Sequence, residues 1–259
     1  KSRTSEGTSR PEIWEVAMIK SVRNKRVLIT GAGSGIGKAI ALKFAEEGAQ
    51  LFMWGREISA LEKIRDQIGD AGIASCDVSD RAQIQSVYEN IEDIYGGIDI
   101  LINNAGINTN PRSISDIEYE DWDRTLAVNL SGVFNVTRVA LPHMRSNKSG
   151  LIINISSIAG LRASKIAGSA YSASKHGIIA LTNSINQEEV DFGIRSCALC
   201  PGEVETPILD QRVEKIDAQH RALMLQPSDV AEATIFVAKL PARACVPLLV
   251  IKPTNQQFC

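Results

Sequence analysis

Arg26-Val27-Leu28-Ile29-Thr30-Gly31-Ala32-Gly33-Ser34-Gly35-Ile36-Gly37, followed by KAIALKFAEE from Lys38 to Glu47, is the stretch on which the fold turns. RVLIT is a short, β-rich apolar run. The next seven residues hold four glycines, and after them Ile40, Leu42, Phe44 and Ala45 recur at helical spacing. A strand therefore runs through a Gly-rich turn into a helix. Glycine lets the backbone take positive φ and approach a ligand with no Cβ in the way. A helix start offers unpaired N–H groups and a partial positive charge, which suit a pyrophosphate. The unit predicts a dinucleotide site, with Gly31, Ser34, Gly35, Ile36 and Gly37 around the phosphates.

The alternation continues outward from there. Ala49–Trp54 reads as a second strand, Ala74–Val78 as a short strand end, residues 81–95 as an amphipathic helix and Ile98–Ile102 as a strand ending in Asn103-Asn104-Ala105-Gly106. Helical patterns occupy about 118–146 and 171–192, with apolar strands at Leu151–Ile155 and Ile194–Leu199. Strands alternating with helices mean a parallel sheet covered on both faces. The expected fold is a single α/β domain: a doubly wound, Rossmann-type parallel sheet in three layers, with no internal boundary or repeat.

Composition agrees. The 259 residues carry 28 basic and 30 acidic side chains, a net charge of −2, with 44% hydrophobic and 22% charged residues. That apolar content excludes a disordered chain, and the charge balance disfavours a nucleic-acid binder. No apolar run reaches the roughly 18 residues of a membrane span. The cysteines at 76, 197, 200, 245 and 259 are odd in number and scattered, unlike a disulfide framework. Cys197 and Cys200 form a lone CxxC without two further ligands at zinc spacing, so they read as small buried apolar residues and no metal site is expected. Residues 1–17 stand apart: Lys1–Arg10 has no apolar residue, and Met18 is a candidate start. They are expected as a flexible extension or cloning remnant, a short ordered arm being the other reading, with the domain over 18–259. A cytoplasmic location is expected.

In a sheet of this kind the end of the second strand faces the adenosine ribose, where a carboxylate would bind the 2′-OH of NAD. Here Gly55 and Arg56 follow the strand. Arg56 can pair with a 2′-phosphate, which favours NADP(H), with NAD(H) still possible. The adjacent Glu57 could serve NAD but also suits a helix start. Asp77 is a candidate for the adenine amino group or, equally, for a turn with Ser79 and Asp80.

The second signal is Tyr171-Ser172-Ala173-Ser174-Lys175. Tyrosine and lysine four apart share one helix face. A nearby ammonium would lower the phenol pKa from about 10 and tune Tyr171 for proton transfer to or from a substrate oxygen.

TGAGSGIG (30–37), NNAG (103–106), Asn129, ISS (155–157), YSASK (171–175) and PGEVETP (201–207), in that order, resemble the short-chain dehydrogenase/reductase family. The resemblance covers about residues 20–240 and points to the single-domain oxidoreductase branch. It implies a catalytic set of Asn129, Ser157, Tyr171 and Lys175. Ser157 would hold the substrate oxygen, with Ser156 as the neighbouring alternative, and Asn129 would hold a water that links Lys175 to solvent. It implies cofactor contacts from Arg56, Asp77, Val78, Asn104, Ala105, Gly106, Tyr171, Lys175, Pro201, Gly202, Val204 and Thr206, besides the Gly-rich turn. The implied activity is NAD(P)-dependent interconversion of a small-molecule carbonyl and an alcohol by hydride transfer, of the carbonyl reductase or alcohol dehydrogenase type. The other class of function is a dinucleotide-binding sensor or scaffold with little turnover. An extended-family epimerase or dehydratase is disfavoured, because too little chain remains for a second domain.

A substrate lid is expected at about 207–226, as a small amphipathic helix over an apolar pocket. Ile158, Leu161, Ile208 and Leu209 are candidates for the pocket wall or for ordinary packing. Glu203 and Glu205, if they face inward, would disfavour a carboxylate substrate. The C-terminus departs from the family's Gly-rich ending, yet Leu248–Ile251 can form an edge strand. A homodimer or homotetramer through the two long helices is expected, with no nucleic-acid or membrane partner.

Overall fold

The computed structural model describes residues 21–211 and 217–257. The reading of residues 1–17 as an extension lies outside them, as does part of the proposed lid.

Seven strands among the described residues form one sheet: β1 (Arg26–Thr30), β2 (Gln50–Gly55), β3 (Ala71–Ser75), β4 (Ile100–Asn103), β5 (Gly150–Ile155), β6 (Ile194–Pro201) and β7 (Leu248–Ile251). Their order is β3-β2-β1-β4-β5-β6-β7, and every pairing is parallel. The connecting helices are α1 (Gly35–Glu46), α2 (Ile58–Ile68), α3 (Arg81–Tyr95), α4 (Tyr119–Leu126), α5 (Gly132–Ser146), α6 (Ser169–Glu188), α7 (Ala218–Ala222) and α8 (Pro227–Lys239).

Side-chain alternation along the strands builds the three layers. Val27 and Ile29 of β1, Leu51 and Met53 of β2, and Ile100 and Ile102 of β4 pack with Ile40 and Phe44 of α1, Leu61 of α2 and Val230 of α8. Leu28, Phe52, Trp54 and Leu101, one step out of phase, pack on the other face with Ile84 and Tyr88 of α3, Val136 and Met144 of α5 and Ile185 of α6. Both faces are buried, which is why the strands read as continuous apolar runs. Cys197 joins the first of these clusters, whereas Cys200, three residues on, faces the other way beside Ser156 and Lys175. The CxxC spacing on a strand thus points its two thiols apart.

Strand β1 is bordered by β2 on one side and β4 on the other, so the chain reverses its direction of travel across the sheet there. A crevice opens beyond the strand ends at such a switch point. The expected strand over 74–78 is corrected: β3 ends at Ser75, paired with Gly55, and the chain then turns, with Asp77 N–H donating to Gln83 Oε1 at 3.0 Å. The pattern over 118–146 is helical throughout, but residues 127–131 form a π-turn between α4 and α5, with Asn129 inside it. The helix expected over 171–192 starts two residues earlier, and its last turn is a separate 3₁₀ turn at Val190–Phe192. Among the described residues no helix is long and apolar enough to cross a membrane.

Candidate active site

One cavity of about 810 Å³ lies across the strand ends. Its wall carries Gly31, Ser34, Gly35 and Ile36 from the first turn, Arg56 after β2, Asp77 and Val78 after β3, and Asn104, Ala105 and Gly106 after β4. Ser157, Tyr171, Lys175, Pro201, Gly202, Val204 and Thr206 line the remainder. Two of the expected residues, Gly37 and Asn129, stand behind the wall.

The Gly-rich turn is shaped by close approach. Gly31 has φ +64° and Gly35 φ +51°, the left-handed region. A Cβ on Gly37 would stand 2.2 Å from the Gly31 carbonyl oxygen. No side chain caps the start of α1, whose exposed N-cap is Ser34. Thr30, at the end of β1, ties this turn to the next loop. Its Oγ1 accepts from the N–H groups of Asn104 at 3.0 Å and Ala105 at 3.1 Å. Asn104 Nδ2 reaches back to the Thr30 and Gly31 carbonyls at 3.1 and 3.0 Å. The Asn104 side chain therefore holds the turn, and its backbone runs along the cavity. Sequence reasoning overlooked Thr30, although a hydroxyl residue at a strand end beside a Gly-rich turn is a visible signal.

At the opposite end of the adenosine side, Arg56 is exposed and its guanidinium has no ion-pair partner among the described residues. Its carbonyl accepts from Ser75 Oγ at 3.0 Å. Asp77 Oδ1 accepts from the N–H and hydroxyl of Ser79, at 2.9 and 2.6 Å. Burial pushes the Asp77 carboxyl upward, but the Ser79 bonds and the charges of Arg56 and Arg124 bring it below the ordinary range. The turn reading of Asp77 is realised while the residue also lines the cavity. Asp80, next along, caps α3 by accepting from the Ala82 and Gln83 N–H groups.

Tyr171 and Lys175 share one face of α6, as their spacing predicts. Lys175 Nζ lies 5.5 Å from the Tyr171 ring centroid and donates to the Ile155 carbonyl at 2.8 Å. Burial lowers its pKa to about 8. The expectation that Lys175 lowers the Tyr171 pKa is corrected. Burial of the phenol dominates and raises it, opposed by hydrogen bonding to Ser157 and the charge of Arg112. The ammonium is held to the end of β5 over the ring face, and is itself too deeply buried to hold its proton as strongly as a free lysine. Ser157 contacts the Tyr171 phenol and accepts from the Ala159 N–H at 3.1 Å. Ser156 points away, donating to the Lys175 carbonyl at 2.9 Å.

Asn129 clasps the strand-end loop from behind. Its Nδ2 donates to the Ile107 carbonyl at 2.9 Å and to Ser174 Oγ at 3.2 Å, and its Oδ1 accepts from the Ile107 N–H at 2.8 Å. A Cβ on Gly106 would sit 3.5 Å from Asn129 Oδ1 and 3.6 Å from Lys175 Nζ, so these two groups flank the same glycine. A second buried polar tract, unforeseen from sequence, links the strands: Asn103 Nδ2 donates to Thr137 Oγ1 and Asn154 Oδ1, and Asn154 Nδ2 to Thr182 Oγ1.

In the region expected as a lid, Pro207–Gln211 is a 3₁₀ turn and α7 follows at Ala218–Ala222; residues 212–216 lie outside the described set. Ile158, Ile208 and Leu209 line the cavity, and Leu161 does not. Glu203 lines it too, with His220 Nε2 2.8 Å from its carboxylate, whereas Glu205 is off the wall and pairs with Arg221 at 3.2 Å. The unusual C-terminal tail closes this end: Gln256 Oε1 accepts from the Glu203 N–H at 3.0 Å, and a Cβ on Gly202 would meet it at 2.2 Å.

A parallel sheet with a Gly-rich turn at its switch point, facing a tyrosine and a lysine across one cavity, defines a nicotinamide-dinucleotide oxidoreductase. The chain belongs to the short chain dehydrogenase family, whose model matches residues 25–217. It is 38% identical over 228 residues to 3-oxoacyl-[acyl-carrier-protein] reductase FabG of Thermotoga maritima, covering 84% of this chain and 91% of that one. Its fold is similar to the closed form of a serine dehydrogenase complexed with NADP+, with TM-score 0.84 and 30% identity over 90% and 96% of the two chains. It is equally similar to the 3-ketoacyl-(acyl-carrier-protein) reductase of Brucella melitensis complexed with NADH, with TM-score 0.83 and 32% identity over 91% and 99%. The chain is thus an NAD(P)-dependent oxidoreductase of that family.

The residues present fit such a cofactor. The turn is emptied of side chains where a Cβ on Gly31 or Gly37 would collide with neighbouring backbone, and the uncapped start of α1 leaves N–H groups for a phosphate.

Proposed function

We propose that this protein is a carbonyl reductase or alcohol dehydrogenase that favours NADP(H). The observation that carries the reading is that Ser157, after β5, and the Tyr171–Lys175 pair of α6 meet on one cavity wall that also carries the Gly-rich turn. Arg56 supports the cofactor preference, since it presents an exposed guanidinium, without an ion-pair partner among the described residues, at the end of β2, where a 2′-phosphate is reached. Asp77 and Val78 border the adenine end. Pro201, Gly202, Val204 and Thr206 border the nicotinamide end.

When bound, the dinucleotide supplies or accepts the hydride; the rest belongs to the chain. Ser157 holds the substrate oxygen beside Tyr171. The raised pKa keeps the Tyr171 phenol protonated at neutral pH, so it donates its proton to a carbonyl oxygen during reduction. Lys175 acts as a nearby cation and, with a pKa near 8, exchanges protons readily close to neutral pH. Asn129 fixes the loop at Ile107 beside Lys175 and keeps the approach for a relay water between them. Pro207, Ile208 and Leu209, which line the substrate end, begin the lid.

Thermal unfolding across NADPH and NADH concentration series tests the cofactor reading, because a ligand of the native state stabilises it by RT ln(1 + [L]/Kd). Stabilisation at lower NADPH than NADH is the expected result; the reverse order overturns the NADP preference. Tyr171→Phe tests the chemistry: it should abolish carbonyl reduction and leave cofactor binding intact. Unchanged turnover would remove Tyr171 from the mechanism, and absence of any turnover in the wild type would favour a sensing role.

A further inference from the structure

The segment after β7 is folded back on itself. The Gln256 N–H donates to the Pro253 carbonyl at 3.1 Å, and Lys252 Nζ donates to the carbonyls of Pro253 at 3.3 Å and Gln256 at 2.7 Å. Pro253 is buried, and its ring fixes φ at the start of the turn. One ammonium thus closes the turn against the end of the sheet, where the Gly202 N–H donates to the Ile251 carbonyl at 2.7 Å.

The turn aims one side chain at the cavity wall. Gln256 Oε1 accepts from the Glu203 N–H at 3.0 Å, and a Cβ on Gly202 would stand 2.2 Å from that oxygen, 2.9 Å from Lys252 Cβ and 2.9 Å from Pro253 Cδ. The turn therefore presses on the backbone of this loop at a distance that only glycine permits. Gln256 lines the main cavity together with Pro201 and Gly202. Behind it, Pro253, Asn255 and Gln256 share a small cavity of about 180 Å³ with His220, Leu223 and Met224.

Glu203 is held through both of its backbone groups. Its N–H meets Gln256, and its carbonyl accepts from the Leu225 N–H at 3.0 Å. A glutamine side chain loses rotamer freedom in making such a bond. Lys252 orders the backbone beneath Gln256, so less remains to be lost when the bond forms.

Resting on the oxidoreductase reading, we infer that Gln256 is a positioning residue for the nicotinamide half of the cofactor. Its bond to the Glu203 N–H fixes the Pro201–Gly202 stretch that borders that half, and Lys252 sets Gln256 in place. Arg56 and Asp77, at the adenosine end, do not depend on it.

Calorimetric titration with NADPH and NADH tests this, each beside its own adenosine half, adenosine 2′,5′-bisphosphate or AMP. Four forms of the full chain are compared: wild type, Gln256→Met, Lys252→Met and the double variant. Methionine keeps most of either stem and removes the polar end. Gln256→Met should weaken the better-bound dinucleotide by about fivefold, the scale of one neutral hydrogen bond, and leave its adenosine half within about twofold. Lys252→Met should show the same signature. The double variant should lose no more than the more affected single variant, because both act through one contact. Equal weakening of the dinucleotide and its adenosine half would make Gln256 a structural fastener and overturn the inference. Unchanged dinucleotide affinity in the variants, or additive losses in the double variant, would overturn it too, and either result leaves the oxidoreductase reading standing. A wild type that binds neither dinucleotide overturns that reading, and this inference with it.

Discussion

Asn129 and Ile107 exchange two hydrogen bonds, amide to backbone in both directions, at 2.8 and 2.9 Å. The pairing is possible because Asn129 sits in the π-turn at residues 127–131, fully buried, where the helix is widened by one residue. One side chain thereby fixes the loop that follows β4 and stands beside Lys175 across Gly106.

Asn129→Asp tests that clasp. The aspartate can accept from the Ile107 N–H but cannot donate to its carbonyl, which leaves a buried acceptor unpaired at a cost of about 1–3 kcal/mol. We expect a loss of that size in urea unfolding and a reduction in kcat of at least about tenfold, since a positioned proton-transfer group typically contributes 10²–10⁴. Wild-type stability in the variant would show that the clasp contributes nothing.

The pKa of Lys175 makes a prediction for stability against pH. Its folded value, about 8, lies below the ordinary 10.5. Between these values the unfolded chain holds the proton and the folded one does not, so unfolding takes up a proton and stability rises with pH. Below pH 8 the full penalty of a buried cation is present. Lys175→Met removes it, and the cofactor-free variant should be more stable than the wild type near pH 7 by on the order of 3 kcal/mol. That advantage should shrink steadily from pH 8 to 10. A gap independent of pH would show that Lys175 is not the titrating group.

Gly37→Ala places a Cβ 2.2 Å from the Gly31 carbonyl oxygen, and both atoms belong to the turn, so the backbone has to move. We expect destabilisation of about 1–3 kcal/mol, as for overpacking elsewhere, together with loss of the thermal shift by either dinucleotide. A folded variant with an undiminished shift would contradict the phosphate role of the turn.

Arg56→Gln removes an exposed side chain, so stability should stay within about 0.5 kcal/mol. Affinity for NADPH should fall by about tenfold or more through loss of a charge-assisted contact, with NADH affinity unchanged. Parallel losses for both cofactors would show that Arg56 does not read the 2′-phosphate.

The fold was legible because its signals are local. Apolar strand runs, helical spacing from Ile40 to Ala45 and the glycines of 31–37 each act over a few residues, and their order alone implies a covered parallel sheet. The Tyr171–Lys175 pair was legible for the same reason, since four residues make one helical turn. Boundaries were less so: β3 ends where its pairing with β2 ends, at Ser75 opposite Gly55, and not where the apolar run does.

What the tertiary structure decided is everything that depends on distant segments meeting. No spacing in the sequence tells that Thr30 Oγ1 holds the loop at Asn104, that Asn129 faces Ile107, or that Arg112 is fixed against Ile166 beside Tyr171. Electrostatics followed the same rule. Adjacency on the helix suggested that Lys175 lowers the Tyr171 pKa, but burial, a product of the assembled sheet, raises that of Tyr171 and lowers that of Lys175 instead. Local pattern determines which elements form and in what order; desolvation and long-range hydrogen bonds exist only once those elements have packed.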